Sequence, residues 1–159
     1  MVDADISTLV KNFTDGISRM RRMTDSSVVL AAAAILDNQL EIALKKSMKP
    51  QSKTLYKRLF ESPDAPLNTF SSKIIMARAL DIITVEIFLD LEKIRCIRNK
   101  FAHSANVLHF ESREIAPLFL SLKKPNTTHK NPAVMFIAYV NVINDALKAY
   151  LGFTNGGTL

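Results

Sequence analysis

Ile6, Leu9, Val10, Phe13, Ile17 and Met20 recur on a three-and-four spacing with polar residues between them, which places them on one face of a helix. Gly16 weakens that helix, and "RMRR" at Arg19 to Arg22 puts positive charge at its C-terminal end, where the macrodipole favours it. A second helix is predicted from Thr24 or Asp25, either of which can cap its free amides, to the neighbourhood of Pro50. Its buried stripe is Val29, Ala33, Leu36, Leu40 and Ala43. The alanines allow another helix to approach closely, so this is predicted to be the central helix. Asp37 and Glu41, one turn apart, border the stripe and are expected to pair with basic residues of a neighbouring helix.

Downstream, "SKTLYKRLF" reads as a short helical segment and "ESPDAP" as a loop. Helical spacing resumes through Phe70, Ile74, Ala77 and Leu80. Thr84 then caps a further helix, with Glu86 in its first turn and a stripe of Ile87, Leu91, Ile94, Arg98 and Phe101. "SREIAPLFLSL" predicts a short helix with Pro117 near its first turn, and "KKPNTTHKNP" a polar loop. The last helix is opened by Pro132 and closed by Gly152. The expectation is an all-α, compact single-domain bundle of about six to seven helices. Residues 1–23 form an amphipathic helix, 24–151 the helical domain, and 152–159 a flexible tail.

Composition narrows the class. With 48% hydrophobic and 23% charged residues the chain has the make-up of a globular domain. The uncharged runs, Ser26 to Leu36 and Pro132 to Asn144, are shorter than the roughly 20 residues of a membrane span, so no membrane partner is expected. The N-terminus carries Asp3 and Asp5 with no basic or apolar leader segment, and the one cysteine, Cys96, has no disulfide partner. A cytoplasmic location is the corresponding expectation. The net charge of +6 suits a phosphate-bearing or acidic partner without specifying one. There is no phosphate loop, zinc-ligand spacing or nucleophile elbow, so no cofactor and no metal is expected. His109 and His129 fall in loops and receive no role.

Chemistry concentrates in "KIRCIRNKFAHS", Lys93 to Ser104. Arg98 on an apolar stripe needs a counter-charge. The first expectation is structural: Arg98, or its neighbour Arg95, pairs with Asp37 or Glu41, and His103 caps the helix end. On that reading Arg98→Ala costs several kcal/mol. The alternative is a metal-independent ribonuclease, with His103 as base for the ribose 2′-hydroxyl, Arg98 holding the phosphate and Asn99 positioning it. Arg98 and His103 lie about 140° apart on an ideal helix, so this site needs a helix break or a second subunit. Whether the chain is an enzyme is left open between the two.

"VVLAAAAILDNQLEIAL", "LFESPDAPLNTFSSKIIMARALDIIT" and "FLDLEKIRCIRNKFAH", in that order between Thr24 and Leu122, resemble the mannitol operon repressor family. The resemblance implies a helical domain without a winged-helix or helix-turn-helix reader. It also implies a transcriptional regulator that works through a protein partner or self-association, with direct sequence-specific DNA binding doubtful. A smaller resemblance, carried by Arg98, Asn99 and His103, is to the HEPN superfamily of nucleotide-binding domains. It implies homodimers that bring two motifs together and act on RNA.

Overall fold

The computed structural model describes the backbone of residues 3–49, 51–123 and 130–152, and the side chains of these from Asp25 onward. Within them six α-helices follow one another: α1 (Asp3–Ser47), α2 (Lys53–Tyr56), α3 (Phe70–Ala79), α4 (Val85–His103), α5 (Ala116–Leu120) and α6 (Pro132–Tyr150). A π-helical turn, Lys57–Glu61, extends α2. No strand occurs among the described residues, and the chain is all-α as its periodicity requires.

The two N-terminal helices expected from sequence are one. α1 runs unbroken through Thr24 and Asp25, and Asp25 does not cap it. Instead the buried Asp25 carboxylate accepts the Phe110 amide across the fold at 3.4 Å. The apolar face assigned to residues 6–20 lies outside the described side chains, and all of the expected 152–159 tail beyond Gly152 lies outside the described residues.

α1 is central, packing against α3, α4 and α6. Every member of its expected stripe is buried: Val29, Ala33, Leu36, Leu40 and Ala43. Asp25–Ser47 is, by length and composition, long and apolar enough to cross a membrane, which a count of uncharged residues alone missed. Its stripe from Val29 to Leu44 is nevertheless buried by the other helices while Leu30, Ile35 and Ile42 stay exposed, and Asp37 and Glu41 are ion-paired within the fold.

Local chemistry sets the other boundaries. Thr69 and Ser72 form a capping box at the start of α3. After α3, Asp81 adopts a left-handed backbone (φ 53°), a region aspartate tolerates better than most residues, and Arg78 pairs with it. The Thr84 hydroxyl accepts the Ile87 amide to start α4. Asn131 caps α6, Pro132 opens it, and Gly152 (φ 77°) follows its end. The segment after α4 delivers Phe110 into the core among Phe101, Phe119 and Phe136.

Candidate functional site

The α4 stripe does not run through Arg98. Leu91, Ile94 and Ile97 are fully buried, Ile87 and Phe101 are half-buried, and Arg98 is exposed. A shift of one position, about 100° around the helix, moves the guanidinium off the core and removes the need for a buried counter-charge.

The carboxylates of α1 have a different partner. Lys73 on α3, only 4% exposed, lies between them, its Nζ 3.1 Å from Asp37 Oδ2 and 2.8 Å from Glu41 Oε2. Glu41 also accepts from Lys45 at 2.7 Å. Burial alone would raise the Glu41 pKa, but hydrogen bonds from Lys45 and Lys73 outweigh it and hold the carboxyl below its ordinary value. Arg95 is gripped by Glu92 of its own helix, Nε to Oε1 at 3.2 Å and Nη2 to Oε2 at 2.7 Å. That contact raises the Arg95 pKa. The expected pairing of Asp37 or Glu41 with Arg95 or Arg98 is therefore corrected: the acids were rightly read as ion-paired, but to Lys73. Among the described residues the Arg98 guanidinium hydrogen-bonds only to Asn99, Nη1 to Oδ1 at 3.0 Å.

Four of the six residues singled out from sequence still meet. Asp37, Arg95, Arg98 and Asn99 line one cleft of about 500 Å³. Leu30, Ala33 and Ala34 of α1 add apolar wall, and Asn68 to Ser71 bring the start of α3 to the same cleft. That last contribution was missed from sequence, although the "NTFSS" capping pattern marks a helix start. Glu41 and His103 are outside the lining. His103 is exposed at the last residue of α4, and one copy of the chain does not bring it to Arg98. His109 sits 3.1 Å from Glu111, and His129 lies outside the described residues. Among the described residues no three His, Cys, Asp or Glu side chains are grouped to hold a metal ion.

An exposed Arg98 makes its own prediction. Arg98→Ala should leave stability within about 0.5 kcal/mol of the parent in a urea melt. A loss of several kcal/mol would restore the buried ion pair.

The fold and cleft together define an all-α bundle with an arginine-bearing cleft between its central helix, α3 and α4. It is similar in fold to a chain of the X-ray structure of the MtlR-HPr complex from Escherichia coli, with a TM-score of 0.54 at 18% identity over 79% of this chain and 82% of that one. At that identity the likeness concerns the fold. No protein-family model and no curated protein matches the chain.

Proposed function

We propose that this chain is a transcriptional regulator of the mannitol operon repressor type that acts by binding a protein partner rather than by reading DNA. One observation carries the reading: the fold is shared, over 79% of this chain, with a protein solved in complex with the protein HPr. Charge is compatible with it, since a surplus of +6 favours encounter with an acidic surface. The ribonuclease reading takes no support from the cleft, which holds Arg98 and Asn99 but not His103. It requires a second copy to supply the imidazole.

Calorimetric titration of the purified chain with Escherichia coli HPr tests the reading. Saturable one-to-one binding in the micromolar range, about −8 kcal/mol, is the expected outcome. Selection from a random duplex library provides the opposing test. If the chain alone enriches one sequence about 10³-fold or more over bulk DNA, it reads DNA directly and the proposal fails.

A further inference from the structure

The charges around the cleft do not balance. Asp37 and Glu41 are met by Lys73 and Lys45, and Glu92 by Arg95. Three carboxylates therefore face four cations once Arg98 is included, and among the described residues Arg98 meets only the neutral amide of Asn99. A guanidinium left over inside a concavity, rather than on a convex face, is placed to receive an anion through its planar fork. Arg95, whose contact with Glu92 leaves Nη1 unused, lines the same cleft.

Two independent features say more about what would fit. Asp37 lines the cleft with its side chain 33% exposed, and since Oδ1 is shielded, Oδ2 is the carboxylate oxygen a ligand can meet. Lys73 neutralises this carboxylate through Oδ2 only. A carboxylate oxygen accepts more than one hydrogen bond, so a hydroxyl on a ligand can donate to Oδ2 beside the lysine. At the α3 end, the capping box engages the Ser72 amide, while the amides of Phe70 and Ser71 belong to a first turn with no earlier carbonyls to meet. Such a turn favours an oxyanion.

We infer that the cleft is a receptor site for a small phosphate ester carrying hydroxyl groups. Arg98 and the start of α3 take the phosphate, and Asp37 accepts from a hydroxyl. Phosphate fits better than carboxylate because its three terminal oxygens can meet donors arriving from two helices in different directions. The cleft's volume of about 500 Å³ lies within the range of small-molecule sites. This assignment does not depend on the partner-binding reading, and either can fail alone.

Titration calorimetry of the full chain with glucose 6-phosphate, glycerol 3-phosphate, inorganic phosphate, glucose and gluconate provides the test. At least one of the two esters should bind one site about tenfold or more tightly than inorganic phosphate, glucose or gluconate does. Arg98→Ala, which removes an exposed side chain and should fold normally, is expected to weaken that ester about tenfold or more. Asp37→Ala, which leaves Lys73 paired with Glu41, should erase the preference for the ester over inorganic phosphate without weakening phosphate itself. The inference is overturned if neither ester saturates by about 10 mM, a generous ceiling for a specific small-molecule site. Unchanged ester binding in Arg98→Ala, or tighter binding of gluconate, overturns it equally. An RNA oligonucleotide that competes at lower concentration in an Arg98-dependent way would reassign the cleft to nucleic acid.

Discussion

Phe110→Ala should lower stability by about 3–5 kcal/mol, among the largest losses any single truncation in this chain would produce. The ring is 1% exposed and sits 5.0 Å from Phe119, 5.3 Å from Phe136 and 5.8 Å from Phe101, centroid to centroid. It therefore joins α4, α5 and α6 through one side chain carried by a connecting segment. Three helices would have to move together to refill the space, so the cavity relaxes poorly and its cost adds to the lost burial. The Asp25 carboxylate would lose the anchoring of its partner strand of backbone at the same time. For a domain of this size the melting temperature should fall by about 6–20 °C. Phe110→Leu, which keeps much of the volume, should cost less than half as much. A thermal melt of Phe110→Ala within a degree or two of the parent would mean the aromatic cluster is not the keystone of this end of the bundle.

Much of this architecture was legible because periodicity reports burial directly. The α1 stripe from Val29 to Ala43 needed only the three-and-four spacing and the small size of its alanines. The cap at Thr84, the opening at Pro132 and the stop at Gly152 followed from local backbone chemistry. Where local signals failed, a tertiary contact had claimed the residue. Asp25 reads as a helix cap, but its carboxylate is used 85 residues downstream. Phe110, in a segment with no helical period, gives no hint of being central. The Arg98 error is of a different kind: Ile97 and Arg98 are adjacent, and a stripe drawn through either fits the spacing of the residues around it. Exposure, not sequence, decides between them. Lys73 received no role from sequence. It stands three residues after Phe70 and four before Ala77, on the side that faces α1, and that placement was the available signal. The candidate cleft was half legible, since its charged residues stood out while the α3 contribution depended on how two helices meet.

Lys73→Met is expected to destabilise the chain by about 2–3 kcal/mol at neutral pH, and the loss should shrink in acid. Removing one member of a buried ion pair commonly costs about 3–5 kcal/mol because a charge is stranded. Here the stranded groups, Asp37 and Glu41, are 33% and 23% exposed, so water and Lys45 relieve part of the penalty. Methionine retains the bulk, so the effect reports charge rather than a cavity. The sign of the pH dependence follows from Glu41. Its folded pKa lies below the ordinary value of 4.5, so deprotonation stabilises the native state above that pH. The contribution is lost as pH falls through the lower folded value. Losing Lys73 removes one of the two cations that depress this pKa, so the variant gains less from deprotonation and has less to lose in acid. Urea melts at pH 7 and at pH 4 should therefore show the parent and Lys73→Met converging as the pH drops. Asp37→Asn in the Lys73→Met background should recover part of the neutral-pH loss, with a coupling of about 0.5–3 kcal/mol in the double-mutant cycle. A difference between parent and variant that stays constant across that pH range would show that Lys73 acts through packing of its aliphatic stem, and that Asp37 and Glu41 are held in place by something other than its charge.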